Sequence, residues 1–413
     1  MSHPNPATPQ SREVAVDADV RRIVVVGGGP AAHRCALELR KLGFTGLVTM
    51  ISSESVPPYD RTMLSKDNLC DAGATIASLA TAGTYGELGI DLRLGREAIN
   101  LDAASRTVGL ADGASLDYDR LILAVGGVAT LPRALAAPGV LTMHRFSDVA
   151  PMRDALERSR HVVVIGAGFI GGEIASAAAG FGCGVTVIEA GDVPLEPVLG
   201  RAVGGRVADL HRTRGVDLRC GTQADRVLDV GDRYQVDLDD GTQLWCDSVI
   251  VGVGIRPSIA WLQASGIRTD RAILTDSLCR TSVPGVFAAG DCAQWWSNRY
   301  GAQVHVEHWD TAGKHGAAAA RSALGMGSPF DPIPFFWSDQ YNVKYQWAGY
   351  APIWDRVDIS GDGPEEFTAR YLLADRLVGA FVANRPKEFA QLRRSLLSDA
   401  QKTSPTAKEV VSQ

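Results

Sequence analysis

The chain carries two glycine-rich motifs, and each one follows a short run of β-branched residues. The motifs are Gly27, Gly29 and Ala32 after Ile23–Val26, and Gly166, Gly168 and Gly171 after Val162–Ile165. An apolar run of this length that ends at glycine predicts a buried parallel strand that turns into a helix. We therefore expect two strand–turn–helix units of the same kind.

The spacing within each motif suits a dinucleotide pyrophosphate. The first glycine permits the tight turn, the second lets the backbone approach the ligand, and the third small residue lets the helix pack closely on the sheet. Free N–H groups and the helix dipole attract the negative pyrophosphate. Packing glycines in a turn also explain one motif alone, but two motifs favour a protein that holds two dinucleotides and passes electrons between them.

Length and charge restrict the class of protein. A chain of 413 residues is expected to form two to four domains. The formal net charge of -6 argues against a nucleic-acid partner. The most apolar stretch, Val162–Ile188, is interrupted by Glu173, so it predicts strand, helix and strand rather than a membrane span. Residues 1–19 lack the apolar segment of a signal peptide.

The cysteines are scattered, and none forms a CxxC pair. The seven are Cys35, Cys70, Cys183, Cys220, Cys246, Cys279 and Cys292. An odd and scattered set argues against a disulfide framework and indicates reduced thiols in the cytoplasm. It also argues against structural zinc or an intrinsic iron–sulfur cluster, which require clustered ligands. No metal site is predicted.

The order of the predicted elements places one nucleotide-binding unit inside another. Residues 21–52 and 161–190 each show the pattern strand, helix, strand. A late strand, Gly285–Asp291, ends in Gly-Asp and precedes an alanine-rich helix near Thr311–Leu324. The last block alternates polar and apolar residues and ends in a helix near Lys387–Leu397. A further helix is expected from about residue 203.

Five short segments resemble one family of flavoproteins. They are Tyr59-Asp60-Arg61, Leu64-Ser65-Lys66, Gly285–Asp291, Phe336-Trp337-Ser338-Asp339-Gln340-Tyr341 and Asn384-Arg385-Pro386. From about residue 21 to residue 397 the chain is similar to the FAD-dependent NADH:ferredoxin reductases of bacterial oxygenase systems, a family that includes rubredoxin reductases. The segment Phe336–Tyr341 is far more specific than either glycine motif.

The resemblance implies an α/β fold of the glutathione-reductase type, with two Rossmann-like dinucleotide-binding domains and a C-terminal α+β domain. The FAD-binding domain is expected at 20–134 and 257–328, and the NADH-binding domain at 135–256. A C-terminal interface domain is expected at 329–400, with flexible tails at 1–19 and 401–413.

The resemblance also implies FAD at the first glycine motif and NADH at the second. The implied cofactor-binding positions are Gly27, Gly29, Pro30, Ala31, Ala32, Ser53, Glu54, Arg61, Lys66, Ala98, Gly126, Asp291, Trp309, Trp337, Gly166, Gly168, Ile170, Gly171, Glu173, Glu189 and Gly254. The implied catalytic positions are Lys66, Glu173 and Trp337. In this family the flavin accepts a hydride from NADH, and the protein contributes mainly geometry and electrostatics.

For two glutamates, Glu189 and Glu173, we expect specific roles in binding NADH. Glu189 ends the second strand–helix–strand unit, about where a carboxylate binds the adenosine ribose hydroxyls. A carboxylate there repels a 2′-phosphate, so NADH is predicted over NADPH. In the family the position of Glu173 approaches the nicotinamide, and we expect it to pair with Lys66 in a positioning role. A carboxylate that merely complements the helix dipole is the alternative for Glu173.

Three positions depart from the family pattern. Ser53, followed by Glu54, replaces the usual acid after the second strand of the FAD-binding half. Val128 replaces the usual arginine, and Thr62-Met63 replaces the usual pair of prolines. The contacts at the adenosine end of FAD are therefore expected to be weaker or differently arranged.

The expected partner is a small acidic two-iron two-sulfur ferredoxin, which takes one electron at a time and feeds a terminal oxygenase. Basic side chains near the flavin edge would bind it, with two tryptophans as apolar neighbours. The candidates are Arg299, Lys344 and Arg393-Arg394, with Trp295 and Trp296.

Three alternatives stay open at this point. A rubredoxin reductase has the same pattern. A flavin-dependent disulfide, peroxide or oxygen reductase requires a reactive cysteine beside the flavin, whereas Pro57 occupies the loop before Tyr59 and Cys35 has no second cysteine nearby. A flavoprotein resembling apoptosis-inducing factor would act mainly by binding partners.

Overall fold

The computed structural model describes residues 19–71 and 73–399. The predicted tails therefore lie outside the described residues, apart from Asp19. The described residues form two parallel sheets, a five-stranded C-terminal sheet and four smaller sheets.

The first sheet has five parallel strands and leads into the first glycine motif. In spatial order the strands are Val286–Ala288, Arg120–Leu123, Arg22–Val26, Leu47–Ile51 and Ile90–Arg93. The central strand is buried on both faces, which explains its continuous run of isoleucine and valine. The strand at residues 286–288 comes from much later in the chain, so the chain leaves this sheet and returns to it, as the sequence predicts.

Two helices pack against each other beside this sheet. The first motif helix is Pro30–Lys41, and the alanine-rich helix is Trp309–Ala323. A Cβ at Gly316 would lie 2.0 Å from the carbonyl oxygen of Ala31, so only glycine permits this close approach. The alanine-rich helix begins before the predicted position, and Trp309 thereby stands in its first turn.

The second sheet has four parallel strands and leads into the second glycine motif. Its strands, in spatial order, are Asp217–Cys220, Gly184–Glu189, His161–Ile165 and Ser248–Val251. Its helices are Val149–Arg158, the second motif helix Phe169–Gly180, and the kinked helix Glu196–Thr213. The kink lies at Gly200, where φ is 72°. The helix predicted from about residue 203 therefore begins about two turns earlier, before this kink.

Short strands and helices complete the two halves. The smaller sheets comprise Ala98–Asp102, Thr107–Leu110 and Ser115–Asp117; Ala224–Asp229, Tyr234–Leu238 and Gln243–Cys246; Ile273–Thr275, Ala293–Ser297 and Ala302–Val304; and the pair Gly127–Ala129 with Ile255–Pro257. The short helices are Arg61–Met63, Asp67–Cys70, Ala82–Glu87, Arg133–Leu135, Phe146–Asp148, Ala260–Leu262 and Gly290–Cys292.

The C-terminal sheet is antiparallel and is followed by the helix Pro386–Asp399. Its strands, in spatial order, are Phe335–Gln340, Val343–Gly349, Arg376–Ala383, Phe367–Leu373 and Arg356–Ser360. The first hairpin turns at Tyr341 and Asn342, both with positive φ, as a two-residue hairpin loop requires.

Tyr341 also fastens the C-terminal sheet to the second half of the molecule. Its hydroxyl lies 2.8 Å from Nδ1 of the buried His211, and its backbone N–H donates to Ser176 Oγ at 2.7 Å. One hydrophobic core runs continuously from the second sheet into the C-terminal sheet and includes Val164 and Tyr345. The C-terminal sheet is therefore held against the second motif helix by packing as well as by hydrogen bonds.

Two kinds of feature are absent from the described residues. No helix within 19–71 and 73–399 has the length and apolar character needed to cross a membrane. In the same ranges, no group of three or more His, Cys, Asp and Glu side chains is placed to hold a metal ion.

Candidate active site between the two glycine loops

Both glycine motifs open into one cleft, with a volume of about 1320 Å³. Gly27 and Gly29 line one part of it, and Gly166 and Gly168 line another. Pockets for single ligands usually measure about 300–1,000 Å³. The cleft is therefore large enough for two ligands that meet within it.

The first glycine loop is built for close approach. Gly27 has a φ of 144°, and a Cβ on it would lie 1.9 Å from the carbonyl oxygen of Ala124. Any other residue would force the two strands apart. The first motif helix begins at Pro30 after Gly29, with no side chain capping its first turn. Its free N–H groups therefore face the cleft, where the oxygens of a phosphate can accept hydrogen bonds from them.

The second glycine loop has the same design with tighter packing. Gly166 has a φ of 100°, and a Cβ on it would lie 2.6 Å from the carbonyl oxygen of Gly252. A Cβ on Gly171 would lie 2.0 Å from the carbonyl oxygen of Gly166. The helix can begin beneath the loop only because residue 171 has no side chain.

Nearly all the predicted cofactor-binding residues line the cleft; Ala32 and Gly171 do not. Ala32 is fully buried in the core beneath the first loop, and Gly171 packs under the second. Their predicted contact with a cofactor stays a prediction, and in the structure they do not line the cleft. They shape the loops through close packing, because the third small position of the motif faces the sheet.

Glu189 stands at the edge of the second glycine loop. Its carboxylate accepts the N–H of Ala167 at 2.7 Å and the N–H of Gly191 at 2.9 Å. It lines the cleft at the end of its strand. This is the position where the sequence places the group that recognises a ribose.

Glu173 joins three separate parts of the chain. Its side chain is 3% exposed. Lys66 Nζ donates to it at 2.9 Å, and Ser65 Oγ donates as well. From the C-terminal sheet, Ser338 Oγ donates at 2.7 Å and the backbone N–H of Asp339 at 3.2 Å. The predicted Lys66–Glu173 pair is thus present, and four donors compensate a buried carboxylate that would otherwise be costly.

Aromatic side chains surround the centre of the cleft. The rings of Trp309 and Trp337 lie 6.2 Å apart at 74°, and Phe169 lies 4.5 Å from Phe336. All four residues line the cleft. Trp309 Nε1 is buried and has no hydrogen-bond partner among the described residues. A planar ligand with acceptor atoms, such as a flavin, would both stack here and satisfy that donor.

The carboxyl group of Asp291 has a raised pKa. Burial raises its pKa to about 6, while His305 and Arg61 act in the opposite direction. His305 Nε2 also lies 2.8 Å from the backbone carbonyl oxygen of Asp291. A buried carboxylate of this kind gains from hydrogen-bond donors, and the hydroxyls of a ribityl chain are such donors.

Sequence reasoning missed three residues that line this part of the cleft: His305, Glu307 and His308. Burial raises the pKa of Glu307 to about 7 and lowers the pKa of His308 to about 3. The cluster of histidine and glutamate directly before the alanine-rich helix is visible in the sequence. It could have indicated a site, since ionisable side chains are seldom buried unless they are paired or functional.

One departure from the family pattern lies at the end of the cleft where adenosine is predicted to bind. Ser53 and Glu54 both line it, close to Ala98. The carboxylate of Glu54 pairs with Arg61 and accepts the hydroxyl of Tyr59 at 2.8 Å. Glu54 therefore orients Arg61, and Ser53 is left as the polar side chain at this position.

The predicted partner-binding residues divide into two groups. Trp295 is 1% exposed and belongs to the core, so its expected place on the surface is wrong. Arg299 donates to the carbonyl oxygen of Asp331 and does not line the cleft. By contrast, the guanidinium of Arg393 lies 4.8 Å from the ring centroid of Phe335, which stacks on Trp337 at 5.8 Å.

No cysteine lines the described part of the cleft. Cys35 is fully buried, and burial raises the pKa of its thiol. Burial also raises the pKa of Cys292, next to Asp291, to about 11. A disulfide or peroxide reductase requires an accessible thiolate beside its flavin, and the residues around this cleft do not supply one.

Comparison with known proteins decides the family. Residues 21–316 match the family described as pyridine nucleotide-disulphide oxidoreductase, and residues 335–411 match the reductase C-terminal family. The chain belongs to the pyridine nucleotide-disulphide oxidoreductase family. This reductase is an oxidoreductase with FAD and NAD(H) as cofactors, and the predicted fold class and cofactors are confirmed.

Individual relatives of the reductase are similar over most of their length. The 5,5'-dehydrodivanillate O-demethylase ferredoxin reductase subunit of Sphingobium sp. is 36% identical over 90% of this chain and 92% of its own. Putidaredoxin reductase of Pseudomonas putida is 33% identical over 90% of each chain. The crystal structure of the covalent putidaredoxin reductase–putidaredoxin complex matches with a TM-score of 0.88 and 31% identity, over 92% of this chain and 94% of that chain. The predicted resemblance to reductases of oxygenase systems is confirmed.

Proposed function

We propose that the protein is an NADH-dependent ferredoxin reductase of an oxygenase system, which delivers single electrons to a two-iron two-sulfur ferredoxin. One observation carries the proposal: two pyrophosphate-binding glycine loops open into one cleft, with the Lys66–Glu173 pair in its lining. The names of the relatives support the choice of partner, since two of them are reductases of a ferredoxin or of putidaredoxin.

The residues of the cleft fit FAD and NADH in the predicted arrangement. The free N–H groups after Gly27 and Gly29 would hold the FAD pyrophosphate, and Asp291 would accept a ribityl hydroxyl. Trp309 and Trp337 would enclose the ring. When bound, FAD accepts a hydride from NADH and releases the electrons singly.

Lys66 and Glu173 act as positioning residues in this proposal. Glu173, in the second turn of the second motif helix, fixes that helix against both Ser65 and Ser338. The nicotinamide, held by that helix, is thereby aligned with a ring held by the other half. Small losses of alignment cost large factors in rate, because hydride transfer depends on close contact between the reacting atoms.

The coenzyme preference is proposed to be NADH over NADPH, because the Glu189 carboxylate lies where the adenosine ribose is expected. A cytoplasmic location is part of the same proposal. It is supported by the seven free thiols, which a reducing compartment preserves.

The proposal is tested with purified, FAD-loaded protein. Anaerobic addition of NADH is expected to bleach the flavin absorption, and a catalytic amount of the protein should then reduce an excess of two-iron two-sulfur ferredoxin. Rubredoxin, cytochrome c without ferredoxin, and hydrogen peroxide are the comparison acceptors. Faster reduction of rubredoxin would favour the second reading of the family, a rubredoxin reductase. A flavin that NADH fails to bleach would overturn both.

A further inference from the structure

A second set of charged residues follows Glu189 in the chain, next to the segment that lines the expected ribose position. The chain leaves Glu189 through Gly191 and Asp192 and enters the kinked helix at Glu196. The first turn of that helix contributes Pro197 and Val198 to the lining of the cleft. Residues 190–198 therefore form the wall that would face the adenosine half of NADH in the proposed function: Ala190, Leu195, Pro197 and Val198 line the cleft, and Asp192 and Glu196 lie in the same segment without lining it.

Three carboxylates meet in this wall. A Cβ built on Gly191 would lie 3.3 Å from Glu189 Oε1 and 3.5 Å from Glu196 Oε2, so both carboxylates flank the same backbone position. Glu196 also accepts the N–H of Asp192 at 3.1 Å. This hydrogen bond joins the loop to the start of the helix and keeps the Glu196 carboxylate close to Glu189.

One arginine forms ion pairs with two of these carboxylates. Arg201 is the sole cation in the segment from residue 189 to residue 201. Its Nε donates to Glu196 Oε1 at 2.7 Å, and its terminal nitrogen pairs with Asp192. Both carboxylates raise the pKa of the Arg201 guanidinium, so it stays charged and engaged.

We propose that Asp192 and Glu196 are specificity residues that hold Arg201 away from the ribose end of the cleft, so that no arginine is free there to bind a 2′-phosphate. The inference rests on the proposed use of NADH and extends it. Arginine is the side chain best suited to bind a phosphate, because its planar donors match the phosphate oxygens. By engaging Arg201, the two carboxylates remove that possibility and add negative charge beside Glu189.

Folding stability should depend little on this cluster. Arg201 is 70% exposed and Asp192 is 55% exposed, and exposed ion pairs contribute little to stability. Substitutions here should therefore change selectivity without unfolding the protein, which makes the inference testable.

The test uses ligand fragments, so it does not depend on turnover. Binding of 2′,5′-ADP and of 5′-AMP to the FAD-loaded protein is measured by calorimetry at low salt. The double variant D192N/E196Q should bind 2′,5′-ADP about tenfold more tightly, as expected for one new charge-assisted hydrogen bond, with 5′-AMP binding nearly unchanged. Adding R201Q should cancel the gain, whereas adding R201K should retain part of it. D209N/D232N removes two exposed carboxylates outside this cluster and the cleft lining, and serves as the control for net charge.

Two results would overturn the inference: unchanged 2′,5′-ADP binding in the double variant, or a gain that survives R201Q. Failure of the proposed function has a different signature. In that case the unsubstituted protein would bind neither fragment, and NADH would not bleach its flavin.

Discussion

Lys66 Nζ lies 2.9 Å from the carboxylate of Glu173, and the two residues belong to opposite halves of the molecule. Ser338, from the C-terminal sheet, reaches the same carboxylate at 2.7 Å. One buried acid, Glu173, therefore connects the half that would bind the flavin, the half that would bind the nicotinamide, and the C-terminal sheet. The arrangement makes the relative position of two ligands depend on a single side chain.

Replacing Glu173 with glutamine is the direct test of that dependence. The amide keeps the shape but loses the charge that Lys66 and two hydroxyls require, and breaking a buried pair typically costs about 3–5 kcal/mol when one charge is removed. We expect a clear loss of thermal stability and a fall of roughly tenfold or more in the rate of flavin bleaching by NADH. Rapid-mixing absorbance measures that rate.

The matched control is Glu157→Gln, at an exposed glutamate on the helix Val149–Arg158. It should leave both quantities unchanged. Equal bleaching rates in Glu173→Gln and the unsubstituted protein would show that the buried pair has only a structural role.

The two glycine loops predict separable defects. In Gly27→Ala the new methyl would collide with the Ala124 carbonyl oxygen at 1.9 Å, so the protein should be purified without flavin. In Gly166→Ala the collision is with Gly252, so the protein should retain FAD and bind NADH far more weakly. Flavin absorbance and NADH titration measure the two defects.

Gly180 supplies the control for these substitutions. It ends the second motif helix, has an ordinary φ and has no atom within 4 Å of an added Cβ. Gly180→Ala should bind both ligands normally, and alanine should stabilise the helix by a few tenths of a kcal/mol up to about 1 kcal/mol. Loss of FAD from Gly166→Ala would contradict the assignment of one ligand to each loop.

Asp291 predicts a stability that depends on pH. Burial raises its pKa from 3.8 to about 6 in the folded protein. The folded state therefore binds this proton more tightly than the unfolded state, and the resulting stability is complete below pH 3.8 and is lost as pH rises through 6. The full loss is about 3 kcal/mol for a shift of this size, and roughly half of it falls between pH 5 and pH 7.5. Denaturant unfolding of the flavin-free protein at pH 5 and pH 7.5 measures it.

Asp291→Asn should remove most of that pH dependence and stabilise the flavin-free protein at pH 7.5. It should also weaken FAD binding, because asparagine is a poorer acceptor for a ribityl hydroxyl than a carboxylate. Asp154→Asn, at an exposed position, is the control. A variant that is both less stable at pH 7.5 and normal in FAD retention would contradict this account of the buried acid.

The sequence was sufficient for the fold and for most of the cleft. Periodic apolar runs and glycine spacing depend on local structure, so the strands before Gly27 and Gly166 and the helices after them could be predicted. The orientation of a motif residue could not be predicted in this way. Ala32 and Gly171 pack beneath their loops and do not line the cleft. The burial of Trp295 depends on its contacts with His315 and Phe330, which are distant in sequence.

Arg393 is the basic residue that the structure places beside Trp337, through Phe335. If an acidic ferredoxin binds at this end of the cleft, Arg393→Glu should slow ferredoxin reduction about five- to tenfold at low salt and much less at high salt, because screening weakens the lost attraction. Reduction of ferricyanide by NADH should be unaffected, since a small acceptor needs no docking surface. Arg158→Glu makes the same charge change at an exposed position outside the cleft lining and should leave both rates unchanged. Equal slowing of ferredoxin and ferricyanide reduction by Arg393→Glu would place its effect on the flavin environment and exclude a docking role.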